Sequence, residues 1–131
     1  MFHAPGVCLD FAAKADGDPV TVPEIDDALA ALDRDIQPLD IVLIRTGRDA
    51  FLDAPDYMIK GPGVTAEATL RLYELGVRVM GIDAWGWDAP LHLEAEEARA
   101  KGEPGIFWAD HQCDLADPQI ERLDNLAALP P

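Results

Sequence analysis

The chain has 131 residues, with 10 Lys and Arg against 25 Asp and Glu, a formal charge of −15, and 49% hydrophobic residues. That balance describes one globular domain with a real core and argues against a disordered chain. The charge and the scattered cations argue against nucleic-acid or anionic-membrane partners, and the absence of a signal-like start or a ~20-residue apolar run predicts a soluble cytoplasmic protein.

The first element expected is a strand over 6–11, followed by a turn-rich stretch at 14–19 with an Asp-Gly-Asp-Pro signal. Thr21 and Glu24 have capping-box spacing, and Ile25, Leu29, Leu32 and Ile36 fall on one helical stripe, which predicts a helix running to Ile36. Residues 40–45 are a β-branched apolar run of the kind found in buried central strands. From 49 to 63 the pattern dissolves into Asp, Pro, Tyr, Met, Lys and Gly, and a long surface loop is expected. Thr65 then caps a helix over 66–75 with Gly76 at its end, and 76–83 forms another buried strand. A charged helix over 92–101 and a strand over 105–111 complete the reading. Alternation of strand and helix points to an α/β fold, a mixed and partly parallel sheet with helices packed on it.

Directly after the 76–83 strand comes Trp85-Gly-Trp87-Asp88, at the kind of strand end where open α/β sheets bind ligands. Trp85 and Trp87 either stack a substrate or plug the core, and Asp83 and Asp88 either cap turn amides or serve a site. Arg45-Thr46-Gly47, at another strand end, can hold a carboxylate or form a structural ion pair. His111 follows the apolar Phe107-Trp108 run; a packed histidine bonded to a carbonyl is the plainer alternative to a functional one. Glu121 lies between Ile120 and Leu123, where a carboxylate is costly unless paired. Together His111 and Glu121 could form an acid/base pair or donate to a divalent metal, although two ligands fall short of the usual three plus water. His3 and His92 are read as solvent-facing, and Cys8 and Cys113 as free buried thiols. No phosphate-binding glycine loop is present, so no nucleotide cofactor is implied.

The runs Asp40-Ile-Val-Leu-Ile-Arg-Thr-Gly47, Gly61-Pro-Gly-Val-Thr65, Val79-Met-Gly-Ile-Asp-Ala-Trp85 and Ile120-Glu-Arg-Leu-Asp-Asn-Leu126, in that order, resemble the later part of the cyclase-family metal-dependent hydrolases. That family includes kynurenine formamidase and isatin hydrolase, and Gly-Ile-Asp-Ala-Trp followed by Asp-Ala-Pro looks closer to the isatin hydrolase branch. The resemblance implies the swivelling β/β/α fold and hydrolysis of a small aryl formamide or cyclic amide, such as N-formylkynurenine or an isatin-like compound, with Zn²⁺ or Mn²⁺. It also implies that His111 and Glu121 contribute to the metal site, a residue-by-residue match that holds for these two alone; from the residues themselves the same pair is the catalytic candidate, and Trp85 and Trp87 are the candidate substrate contacts. The family signature His-x-Gly-Thr-His-x-Asp-x-Pro-x-His does not occur in these 131 residues. Residues 1–131 are accordingly expected to form a single truncated domain lacking its N-terminal strands, a gene-model fragment or a natural remnant. Such a chain is expected to be poorly stable or to form a homo-oligomer, to bind metal weakly and to have little activity. A non-catalytic binding or subunit-interaction module using the Trp85/Trp87 turn is the alternative, and a plain α/β scaffold a third.

Overall fold

The computed structural model describes residues 3–109, 111 and 118–130. The apolar runs become parallel neighbours: β1 (Gly6–Asp10), β2 (Ile41–Arg45), β3 (Val79–Ile82) and β4 (Gln119–Ile120) form one sheet in the order β1-β2-β3-β4. Every pairing is parallel, with Val7 opposite Val42, Val42 opposite Met80, and Gly81 opposite Ile120. Parallel strands need crossovers, and these are α1 (Val22–Ala30), α2 (Ala66–Glu74) and α3 (Leu91–Lys101). The expected α/β class therefore holds, and all described strand pairs run in one direction. No described helix is long and apolar enough to cross a membrane.

Side chains alternate across a strand, so Val7 and Leu9, Val42 and Ile44, and Met80 and Ile82 share one face. Ile25 from α1 and Ala68 and Leu72 from α2 cover them in the same buried cluster. Each fully buried Ile or Leu contributes about 1.5–3 kcal/mol relative to an exposed one. On the opposite face Leu126 is buried, and the Cys8 Sγ lies 4.0 Å from its carbonyl oxygen. Cys8 is a free buried thiol, as expected; Cys113 is outside the described residues.

Three expectations are corrected. The Ile25 stripe continues through Leu32 and Ile36, which pack partly buried against the core, but α1 stops at Ala30. The buried Asp40 carboxylate draws the chain out of the helix, accepting from Arg34 Nη1 at 2.6 Å and from the Gln37 N–H at 2.8 Å. The 49–63 segment is more than a surface loop: it carries two 3₁₀ turns, and its Tyr57 is buried with the hydroxyl donating to the Asp83 carbonyl at 2.8 Å. The 105–111 stretch is not a strand. After Gly102 closes α3 in the left-handed conformation, a 3₁₀ turn at Pro104–Ile106 packs back on that helix, and Trp108 has φ +60°, a value no strand uses.

At the start of α1 the capping pair is reinforced from outside. Glu24 Oε2 accepts from the Thr21 N–H at 2.9 Å and from its hydroxyl at 2.7 Å, while Lys14 Nζ donates to Oε1 at 2.6 Å. The Lys14 ammonium and the Thr21 donors lower the Glu24 carboxyl from its ordinary range to about 2. A depressed carboxyl stabilises the fold above its unfolded value and loses that contribution as pH falls from about 4.5 towards about 2. The Glu24 side chain is 39% exposed, so screening reduces the effect. Urea denaturation of Glu24→Gln is expected to show a loss of about 0.5–1 kcal/mol at pH 7, shrinking below pH 4.

The ends of β2 and β3 are tied by one carboxylate. Asp83 Oδ1 accepts from the Thr46 N–H at 2.7 Å and the Thr46 hydroxyl at 2.6 Å, and Oδ2 accepts from the Gly47 N–H at 2.8 Å. Burial raises the Asp83 carboxyl, and these donors oppose the penalty. The carboxylate held by the 45–47 segment is thus Asp83 itself, while Arg45 pairs with Asp10 at 2.6 Å. Asp83→Asn sets an NH₂ group against one of these donors and is expected to cost about 2–3 kcal/mol in chemical denaturation. A loss under about 0.5 kcal/mol, within the usual range for surface changes, would show that the tie is dispensable.

Candidate active site

Parallel pairing places the carboxyl ends of β3 and β4 side by side, so residues following the two strands meet. The chain beyond β4 runs along the extension of β3, with the Leu123 N–H donating to the Ile82 carbonyl and the Arg122 N–H to the Ala84 carbonyl, both at 3.0 Å. Glu121 is thereby brought under the Trp-Gly-Trp turn, where the Trp87 N–H donates to its Oε1 at 2.8 Å.

Trp87 is wholly buried and its indole N–H donates to Thr69 Oγ1 at 2.8 Å. Its ring packs in the core, and it reaches the site through its backbone. Trp85, by contrast, is half-buried and lines an open cleft with Met58, Lys60, Pro90, Trp108 and His111. The cleft encloses about 80 Å³, well below the several hundred Å³ of a typical small-molecule pocket, so these walls enclose only part of such a ligand.

His111 stands at the cleft between two carboxylates. Its Nδ1 meets Asp88 Oδ2, and its Nε2 lies 3.7 Å from Glu121 Oε1. The Asp88 side chain is only 2% exposed, and the Asp88 residue sits against Gly63, where an added methyl would overlap the Asp88–Ala89 backbone. Gly63, at φ +70°, is what lets the 61–65 segment approach so closely. Indole and imidazole stack here, with the Trp108 and His111 rings 5.4 Å apart and inclined by 28°. Glu94, buried on α3, accepts from the Trp108 N–H at 3.0 Å, and burial raises its carboxyl.

In the neutral ring an acceptor at Nδ1 assigns the proton to that nitrogen and leaves the Nε2 lone pair facing the Glu121 carboxylate. Two electron-pair donors facing each other call for a cation or a proton between them. Their 3.7 Å separation is less than the ~4.1 Å spanned end to end by ordinary metal–nitrogen and metal–oxygen bonds. His111 and Glu121 therefore fit as two donors to a divalent ion, with Asp88 orienting the imidazole from behind. Among the described residues no group of three or more His, Cys, Asp and Glu is placed to hold a metal.

The structure brings together His111 and Glu121 and sets Trp85 at the rim of their cleft, with the Trp87 ring in the core. His3 and His92 are exposed. Sequence reasoning left Asp88 between turn cap and site residue, and it missed Glu94, Trp108 and Gly63 as supports. Its position just beyond a central strand was the available signal for Asp88, whereas Glu94 is hidden among Glu96 and Glu97.

A family model described as "Putative cyclase" matches residues 1–89, more than half of the chain. The chain belongs to the cyclase family. Isatin hydrolase A from Labrenzia aggregata, solved bound to benzyl benzoate, is 26% identical over 96% of this chain and 50% of that one, with a TM-score of 0.73. An isatin hydrolase bound to the product analogue thioisatinate gives 23% identity and a TM-score of 0.75 over 97% of this chain and 49% of that one. Isatin hydrolase A from Ralstonia solanacearum gives 22% and 0.76 over 98% and 50%. The chain thus spans about half the length of these solved cyclase-family proteins. A search of curated protein sequences finds no match.

The assigned tautomer is open to direct measurement. At a pH where the ring is neutral, long-range ¹H–¹⁵N spectra are expected to show His111 with Nδ1 protonated, and Asp88→Ala to convert most of it to the Nε2–H form. An unchanged ring in that variant would remove Asp88 from its orienting role.

Proposed function

We propose that this chain carries the His111/Glu121 side of a metal-assisted hydrolytic site for a small aryl amide or cyclic amide. The observation that carries the reading is the Asp88–His111–Glu121 arrangement at the carboxyl ends of two parallel strands, in a chain belonging to the cyclase family. Its similarity to isatin hydrolases supports an isatin-like cyclic amide as the substrate class, and the family resemblance adds an aryl formamide such as N-formylkynurenine as the related alternative.

His111 Nε2 and Glu121 would hold the ion. A bound Zn²⁺ or Mn²⁺ supplies a water of lowered pKa and polarises the amide carbonyl. Asp88 keeps the His111 proton on Nδ1, so that Nε2 stays available as a donor. The Trp87 N–H fixes one Glu121 oxygen, limiting how that carboxylate turns. Trp85 offers an aromatic wall at the rim, suited to a flat ring. With two donors among the described residues where a catalytic site uses three, the 131-residue chain is expected to bind the ion weakly and to hydrolyse amides slowly or not at all.

Titration calorimetry with MnCl₂ or ZnCl₂ tests the reading. Weak binding is expected for the 131-residue chain, with loss of the signal in His111→Ala and Glu121→Ala and about a tenfold or greater weakening in Asp88→Ala. Isatin ring opening, followed by absorbance in the presence of the metal, is expected near the uncatalysed rate. Metal affinity retained by both alanine variants of the donors would overturn the assignment.

A further inference from the structure

His111 is held on one edge by Asp88, but an imidazole hinged at a single hydrogen bond can still swing about it. Its face is covered by the Trp108 indole, stacked at 5.4 Å between centroids. Trp108 is 44% exposed, so the core alone does not pin it, and its φ of +60° is a conformation bulky residues seldom adopt. Something local must keep this turn in place. The Trp108 N–H donates to the Glu94 carboxylate at 3.0 Å, 14 residues earlier on α3.

Glu94 belongs to the first turn of α3, where its own N–H bonds back to the Pro90 carbonyl at 3.3 Å. It is buried, unlike the exposed Glu96 and Glu97 next to it, although burial disfavours its charge. A carboxylate kept buried and spent on one backbone N–H has a positional purpose that an exposed glutamate on the same helix would not serve. We infer that Glu94 is a positioning residue for His111, acting through Trp108: it anchors the Trp108 backbone, Trp108 covers the imidazole face, and the Nε2 of His111 stays aimed at Glu121. The functional meaning of this chain of contacts rests on the proposed role of His111, whereas the contacts themselves do not.

The test reads the His111 ring and needs no catalytic activity, so it can fail or succeed independently of the hydrolase reading. The indole displaces the His111 ring-proton resonances through its ring current, and Trp108→Leu defines the complete loss of that displacement. Glu94→Ala is expected to produce most of the same change, and Glu94→Gln, whose amide oxygen still accepts from the Trp108 N–H, to restore the wild-type positions. Wild-type resonances in Glu94→Ala, or a Glu94→Gln spectrum matching that of Glu94→Ala, would overturn the inference. A second measurement covers the case in which Glu94→Ala does not fold. In the wild-type protein the Trp108 amide is expected to exchange with solvent markedly slower than an unprotected amide, and exchange at the unprotected rate would equally overturn it.

Discussion

The Asp83 carboxylate is the constraint on which the rest of the site depends. It lies at the end of β3 and receives three donors from the segment that follows β2, so the two central strands leave the sheet in a fixed relation. A buried carboxylate is costly, and satisfying it with backbone and hydroxyl donors from a neighbouring strand makes the cost conditional on the correct register. Its backbone carbonyl does related work, accepting from the buried Tyr57 hydroxyl and thereby tying down the 49–63 segment, whose Met58 and Lys60 line the cleft. The Trp-Gly-Trp turn begins two residues after Asp83, already oriented.

From that platform the site is assembled by parts remote in sequence. Glu121 arrives through β4, Asp88 through the turn after β3, and Glu94 through α3. One imidazole lies close to three carboxylates, while the cleft lining includes one lysine, Lys60. Such a surplus of negative charge around an electron-pair donor favours a cationic occupant and disfavours an anionic one, in keeping with the overall charge of −15. The same electrostatics explains why Glu94 carries a raised carboxyl, since burial comes first and the neighbouring Asp88 adds to it.

Much of this was legible in the amino-acid order because it depends on local chemistry. The strands expected over 40–45 and 76–83, which hold β2 and β3, are read from β-branched runs, the α1 start from Thr21 and Glu24, and the α2 end from Gly76. What escaped depends on partners far away in sequence. The end of α1 is decided by Asp40 reaching back to Arg34, and the 105–111 run reads as a strand until α3 claims it. Glu94 illustrates the same limit at the site: it is one of three glutamates on α3, and only the fold separates the Glu94 that holds Trp108 from the Glu97 that pairs with Lys101 on the surface.

The supports around His111 also bear on how such a site would work. Asp88 is wedged by Gly63, Glu121 is fixed by the Trp87 N–H, and Trp108 is anchored by Glu94, so three independent elements hold the imidazole and its opposing carboxylate. These contacts are all made within the chain, so in the proposed site a cation would meet donors that the fold already orients. Preorganisation of this kind concentrates its value in the step where charge develops, because the donors do not reorganise as the reaction proceeds. It also includes the left-handed turn at Trp108, whose N–H is held by the α3 carboxylate while its indole stacks on the imidazole.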